Sequence, residues 1–485
     1  MDLKLNNSRL GVGIKRLIVF SFMVAATVAA AYMVTEGGIM AAGALFALPL
    51  GALLVLSIFL KPAVGMVLVM LLGIYIIGPT RYISGVPLGL SIDVMLLLTF
   101  LATIFKVQQE DKKWLNNSLF ILLVIWVVYI IFQVMNPEAV SYAAWFYASR
   151  SLALYWVLVV ALTFLMFREE KHFNTFITVW MWGGIISGLY GAKQLHLGLD
   201  SAELAWLEAG ADETHLLFGK LRVFSFFSDA GQFGAFQAYT MVVAAILALK
   251  TDKFWRRILF WATAGICFYG MLISGTRGAN FVLMIGFLVY VLMTKKFKIL
   301  TVGLILLGAF FCMLKFTYIG QGNYNIQRMR SSLDPDDPSF QVRLENQRKL
   351  KAYMESRPFG GGVGTAGYWG LRFSPGTLLA ETPTDSFYVR VWVETGVVGL
   401  VLLLGILIFV FILTFIKAWN IRDPIIRQKM MAIYAGALGV AVASYGNQVI
   451  GQIPTLVFFF MSLSYLYIMP DWEKKKQKIG KSDKL

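Results

Sequence analysis

Apolar runs recur along the 485-residue chain from Leu17 to Met469, broken by short polar stretches. About 20 mostly apolar residues let a helix cross a bilayer. The pattern predicts about 14 such segments, near 17–34, 39–60, 63–78, 90–106, 118–135, 147–167, 173–192, 229–249, 255–274, 278–294, 298–316, 391–417, 430–449 and 454–469. The chain therefore reads as an all-α polytopic membrane protein with a large helical extracytoplasmic loop. Its predicted divisions are helices 1–11 within 1–316, the loop at 317–390, helices 12–14 within 391–469, and a basic cytoplasmic tail at 470–485. Ala29-Ala30-Ala31 resembles a signal cleavage site, but apolar sequence resumes directly after Gly37-Gly38, which predicts a retained helix.

Composition supports this class. Hydrophobic residues make up 58% of the chain and charged residues only 14%, against about 45–50% and 25% in soluble domains. Soluble enzymes, secreted disulfide modules and DNA-binding domains are excluded. The net charge of +16 follows the positive-inside rule rather than a nucleic-acid partner. With the N-terminus in the cytoplasm and the helices alternating, 27 of the 43 basic residues fall in inside segments. Both termini are then cytoplasmic. Cys267 and Cys312 lie in apolar runs, and His172, His196 and His215 are scattered. No disulfide framework, metal-ligand spacing or cofactor motif emerges.

Two outside segments, about 193–228 and 317–390, exceed the roughly 12–15 residues of a simple connection. In the larger one, Asp337-Pro338 predicts a helix N-cap followed by proline in the first turn. Val342, Leu344, Leu350, Tyr353 and Met354 give that helix an apolar side. Arg343, Gln347 and Lys351 repeat at i, i+4 and i+8. A basic face on the outer surface suits an anionic head group; a solvated face packed on the bundle is the alternative.

Several constellations could carry chemistry. Gly362-Val363-Gly364-Thr365-Ala366-Gly367 matches G-x-G-x-x-G, but no strand precedes it, so a dinucleotide fingerprint is rejected. Its glycines could bring backbone N–H groups to a ligand or form a tight turn. Asp334-Pro335-Asp336-Asp337-Pro338 reads as a rigid turn rather than a metal motif. Arg277 sits between two apolar helices in Ser274-Gly275-Thr276-Arg277-Gly278-Ala279, and Arg222 leads a segment that enters another helix at Asp229. Each is either a snorkelling anchor or a guanidinium fork for phosphate oxygens. Asp385, Tyr388 and Trp392 share one helical face, and Arg390 and Glu394 form an i, i+4 pair.

In order and spacing, these pieces resemble the O-antigen ligase/polymerase superfamily of bacterial membrane proteins. The matching segments are 222–234, 274–279, the Arg343 helix running to Pro358-Phe359-Gly360-Gly361-Gly362-Val363-Gly364, and Glu394-Thr395-Gly396-Val397-Val398-Gly399. Together they cover roughly residues 220–420. The resemblance implies transfer of a glycan from an undecaprenyl-diphosphate carrier to an acceptor at the outer face of the cytoplasmic membrane, without nucleotide sugar or metal. It also implies a chain-length regulator and a flippase as partners. Ligases of the family carry a His-Asn pair nine residues before the glutamate; Asp385 and Ser386 stand there, which favours a polymerase for O-antigen, capsule or exopolysaccharide.

The expected catalytic groups are Asp385 as general base and Arg277 and Arg222 as stabilisers of the leaving diphosphate. Arg343, Lys351, Gly362, Gly364, Tyr388 and Asp229 are the expected substrate contacts, with Asp229 the reserve base. A lipid-linked glycan flippase is the competing class, but no internal repeat supports it.

Overall fold

The computed structural model describes residues 21, 32, 35, 49–83, 87–217, 219–295, 297–322, 324–331, 334 and 336–482. The chain forms two units, Met1–Pro62 and Ala63–Leu485. The described part of the first is chiefly one apolar helix, Pro49–Leu60. Apart from residues 21 and 32, the predicted helix near 17–34 lies outside the described residues, as does the start of the next.

The principal helices that follow are α1 (Pro62–Tyr75), α2 (Leu90–Ile104), α3 (Ser118–Phe132), α4 (Tyr142–Ser149), α5 (Tyr155–Met166), α6 (Glu170–His196) and α7 (Ala230–Ala248). Beyond them come α8 (Phe254–Ile273), α9 (Arg277–Met293), α10 (Phe297–Phe316), α11 (Pro338–Met354), α12 (Gly367–Phe373), α13 (Phe387–Asn420), α14 (Pro424–Ala443) and α15 (Thr455–Ser482). Among the described residues the only strand pairing is a hairpin, Leu216–Leu217 against Lys220–Leu221.

This is an all-α membrane protein, but the expected count of about 14 spans is not supported. Six described helices are long and apolar enough to cross a membrane: Ser118–Met135, Tyr142–Met166, Ala230–Ala248, Phe254–Ile273, Phe387–Asn420 and Pro424–Ala443. Other apolar runs form shorter helices: α1 has 14 residues, α2 has 15 and α9 has 17, against 18 in the shortest of those six. α6 is long at 27 residues, but Lys171, His172, Asn174, Lys193 and Gln194 dilute its apolar character.

The centre of the second unit is α7, buried along nearly all its length and packed on α6, α8, α9 and α14. Its small residues permit this close approach, as is usual where helices pack without a hydrophobic driving force between them. A Cβ on Gly234, for instance, would lie 2.2 Å from Ser274 Oγ. Between α2 and α4, Arg150 reaches Asp93 at 2.6 Å, so its charge is paired rather than facing lipid. Arg150 opens a π-helical turn, Arg150–Leu154, that joins α4 to α5.

The 317–390 segment is helical in its described parts: Tyr324–Ser331, α11, α12 and Leu378–Glu381. Asp337 caps α11 by accepting from Phe340 N, with Pro338 in the first turn, as its sequence predicts. α13 is not one regular helix. Gly396 has φ 72° and ψ −176°, which breaks it after Thr395. The chain after α11 packs against the break: Gly361 N donates to Val393 O (2.8 Å), Gly362 N to Glu394 O (3.0 Å), and Val398 N to Pro358 O (3.3 Å). Backbone groups freed by the break are thus re-paired, as a membrane helix requires.

A Cβ on Gly396 would sit 1.9 Å from Pro358 O, in a backbone region that only glycine enters without strain. Gly396→Ala should therefore abolish or sharply reduce folded protein, read as a lost monodisperse peak in detergent size exclusion. Gly405→Ala in the same helix, where a Cβ meets nothing within 4 Å, should leave that peak unchanged.

Candidate active site

The turn before α13 is the focus of the site. Ser386, not Asp385, caps α13, its Oγ accepting from Val389 N at 3.4 Å. Phe387 N donates to Ser444 O at 3.0 Å, which ties the helix start to the end of α14. Asp385 sits one residue upstream with φ 49°, a left-handed conformation. Aspartate tolerates that region better than most residues, and its occupancy by a non-glycine is a recurring mark of functional turns.

Two cavities meet at this turn. Arg277, Arg343, Gln347 and Asp334 contribute polar groups to the first, of about 480 Å³. The second, of about 580 Å³, has Asp229, Arg390, Asn447 and Gln448 among its polar lining. Thr384 and Asp385 line both, so they form the shared wall. A third space, an apolar groove of about 630 Å³ between α13 and α14, is bordered by Tyr388, Trp392, Leu404 and Phe411. It shares Val442 and Tyr445 with the arginine cavity. The order is therefore apolar groove, arginine cavity, Asp385, polar cavity.

Each arginine of the first cavity is held by a carboxylate. Arg277, the first residue of α9, pairs with Asp337 at 2.6 Å, so the cap of α11 is also its counter-ion. Arg343, one turn into α11, reaches Asp385 at 3.5 Å with both side chains over a third exposed. That pair is long, solvated and weak. It holds Asp385 beside a guanidinium without burying either group.

A buried relay fixes the turn from the other side. Glu394 is fully buried and takes Arg390 Nε at 3.0 Å. Arg390 in turn donates to Gln448 Oε1 (3.4 Å), and Gln448 Nε2 donates to Thr384 Oγ1 (2.8 Å). The amides of Gly364 and Ala366 are turned towards the Glu394 carboxylate, whose Oε2 makes no close hydrogen bond.

The structure brings Asp385, Arg277 and Arg343 to one cavity and Asp385 and Asp229 to the other. Asp229 also caps α7, its Oδ1 accepting from Gln232 N at 2.9 Å, while Ser228 Oγ donates to its Oδ2 at 2.9 Å. Other expected residues lie elsewhere. Lys351 borders none of these spaces; at 100° per residue the i, i+4, i+8 series drifts, and only Arg343 and Gln347 face the cavity. Arg222 does not line the cavity; it donates to Thr214 O (3.0 Å) and to Oγ1 of Thr276 (3.3 Å), the residue before Arg277. Gly362 and Gly364 are packing positions: Cβ atoms there would meet Ala139 at 2.7 Å and Ala144 O at 2.4 Å. Tyr388 faces the apolar groove and donates to Ala441 O at 2.7 Å.

Some groups carried no sequence signal. Asn447 and Gln448 fall at the end of the apolar run read as a helix over 430–449, whereas α14 ends at Ala443, and Trp369 lies in the 317–390 segment outside its recognised motifs. Arg81 is another: it reaches Ser225 O at 2.6 Å and also bonds Phe227 O. It lies over the rings of Trp206 and Phe224 at 4.5 and 4.4 Å, and burial pulls its pKa down to about 10. It fixes the turn that leads to Asp229.

Fold and site together define an all-α membrane protein with an arginine- and carboxylate-lined cavity opening beside an apolar groove. Residues 262–404, which include Arg277, Arg343, Asp385 and Glu394, match the family model described as O-antigen ligase. A curated O-antigen polymerase from Salmonella muenchen is 25% identical over 192 residues, a match covering 38% of this chain and 45% of that protein. The matched part is thus less than half the length of that relative. Both findings support the O-antigen ligase/polymerase superfamily that the motifs resemble.

The relay predicts a stability effect separable from chemistry. Glu394→Gln leaves Arg390 with no counter-ion in a buried position, a loss of about 3–5 kcal/mol. The melting temperature in detergent should fall clearly, and adding Arg390→Met should recover part of the loss. An unchanged melting temperature in the single variant would show that the pair does not hold the turn.

Proposed function

We propose that this protein polymerises oligosaccharide repeat units carried on undecaprenyl diphosphate, at the outer face of the bacterial cytoplasmic membrane, by inverting glycosyl transfer. The observation that carries this reading is the position of Asp385 on the wall between the arginine cavity and the polar cavity. The carrier's prenyl chain lies in the apolar groove, and its diphosphate lies against Arg277 and Arg343. Guanidinium forks match phosphate oxygens bidentately. Arg343 then exchanges the weak pair with Asp385 for a phosphate oxygen, which releases the carboxylate as donor binds.

An acceptor hydroxyl oxygen attacks the anomeric carbon, and the bond from that carbon to the diphosphate oxygen breaks. The hydroxyl proton passes to Asp385. The departing electron pair stays on the diphosphate, where Arg277 and Arg343 stabilise it. Arg222 supports Arg277 through Thr276. This reading places both termini in the cytoplasm, with a chain-length regulator and a flippase as partners and no metal in the reaction.

Transfer to a lipid A core acceptor is the second reading, favoured by the description of the matching family model. Polymerisation is favoured by the relative's name and by Asp385-Ser386 in place of the ligases' His-Asn. Purified protein incubated with lipid-linked repeat units alone should yield a ladder of longer chains. A product formed only when lipid A core is added would replace the polymerase reading by the ligase one.

Asp385→Asn tests the base. Asparagine also tolerates positive φ, and Ser386 keeps the cap, so folding should persist. Turnover should fall roughly 100- to 10,000-fold while donor binding stays near that of the wild type. Arg277→Ala should lose roughly 100- to 1000-fold in turnover, and lysine should rescue it poorly because an ammonium makes no fork. Wild-type chain length in Asp385→Asn would remove Asp385 from the chemistry. Polymer yield should survive EDTA; a strict requirement for a divalent cation would overturn the metal-free mechanism.

A further inference from the structure

The chemistry described so far leaves the polar cavity beyond Asp385 without an occupant. Its lining differs in kind from that of the arginine cavity. Asn447, Gln448 and Gln452 supply amides, Asp229 a carboxylate, and Tyr368 and Trp369 aromatic rings. Trp369 stacks on Tyr147 with ring centroids 4.8 Å apart and planes 14° apart, and Tyr368 meets Trp369 edge-on at 4.9 Å. The Tyr368 side of this aromatic slab is 66% exposed. Planar amides and carboxylates bind paired hydroxyls, while aromatic faces take the apolar C–H face of a ring. Arg390 and Glu381 also line it, but Arg390 is already neutralised by Glu394, so the combination fits a neutral sugar rather than a diphosphate.

A second observation points the same way. The Asn447 amide nitrogen is buried and has no hydrogen-bond partner. It lies between α7 and α9, 3.6 Å from where a Cβ on Gly231 would stand and 2.6 Å from one on Gly278. Buried donors are nearly always satisfied, and an exception needs an explanation. Glycine at these positions makes room for the amide itself, so the donor meets a sugar hydroxyl once its side chain turns into the cavity that Asn447 lines.

We propose that this cavity is the acceptor subsite, holding the terminal sugars of the acceptor glycan with Trp369 and Tyr368 as platform and Asn447 and Gln448 as hydroxyl partners. The proposal rests on the reading that Asp385 takes the acceptor's proton. A sugar seated here presents its hydroxyl to the Asp385 wall from the side opposite the donor diphosphate, as inversion at the anomeric carbon requires.

The test uses the full-length protein in nanodiscs and the repeat-unit oligosaccharide freed from its lipid diphosphate by mild acid. Calorimetry should detect binding to the wild type. Asn447→Ala and Trp369→Ala should each weaken it about tenfold, the order expected for losing one well-made polar or stacking contact. Trp369→Phe, which keeps the stack, should retain most of the affinity, and Arg277→Ala should leave glycan affinity unchanged. Asn447→Ala should melt no lower than the wild type, since it deletes an unpaired donor.

No binding by the wild type would overturn the proposal. So would unchanged affinity in both alanine variants, loss of glycan affinity in Arg277→Ala, or a lowered melting temperature accompanying the loss in Asn447→Ala. Continued chain elongation by Arg277→Ala would instead overturn the donor reading. Because the glycan probe carries no lipid or diphosphate, the two failures are distinguishable.

Discussion

The break at Gly396 is the constraint on which the site depends. An unbroken α13 would satisfy its own backbone and leave nothing for the 358–366 segment to bind. Because the helix breaks, Val393 O and Glu394 O take the amides of Gly361 and Gly362, and Pro358 O takes Val398 N. Those bonds fix the chain leaving α11 against the first two turns of α13. They set where α11 ends, hence where Arg343 and the Asp337 cap lie relative to Asp385. Glu394, buried two residues before the break, then passes its charge outward through Arg390 and Gln448 to Thr384. One backbone deformation thus positions both the cation side and the carboxylate side of the cavity.

Electrostatics around the cavity is organised as pairs of unequal strength. Arg277–Asp337 is short and mostly buried, and Arg390–Glu394 is more buried still. Such pairs are difficult to separate, because either partner alone would be an uncompensated charge. Arg343–Asp385 is long and exposed, in the class of ion pairs that contribute little. The weak pair is the one that joins the two groups proposed to meet the diphosphate and to take the proton. A ligand competing for Arg343 therefore meets little resistance, whereas the supporting frame stays in place.

The parts of the fold legible in the sequence are those governed by local chemistry. Asp337-Pro338 announced the start of α11 because a cap and a first-turn proline are satisfied within four residues. Asp229 stood where the apolar run of α7 begins. Arg277 stood out because an arginine between two apolar runs needs a reason. The illegible parts depend on partners distant in sequence. Gly362 and Gly364 look like a ligand loop, yet the structure packs them closely against Ala139 and Ala144. Hydropathy read about 14 spans because it registers apolar runs; six of the described helices are also long enough to cross a bilayer. Lys351 was grouped with Arg343 by a spacing that drifts about 80° in eight residues. Asn447 and Gln448 gave no signal, since they close the apolar run read as a helix over 430–449, and nothing local shows that α14 stops at Ala443.

Asp385 itself shows how the local duties of a turn are divided. A carboxylate before a helix ordinarily serves as its cap, and that role would tie its oxygens to backbone amides. Here Ser386 takes the cap, and Thr384 takes the bond from Gln448. Asp385 is left with no structural task that asparagine could not perform, and it occupies a left-handed backbone that most side chains would strain. Its neighbours satisfy the turn's hydrogen bonds, and its own carboxylate is turned to a weak, exposed partner. A purely structural aspartate gains nothing from this arrangement. On the proposed mechanism, a base that exchanges partners during each cycle uses it, because its oxygens have to be available when the acceptor arrives and must not be required for the helix to hold.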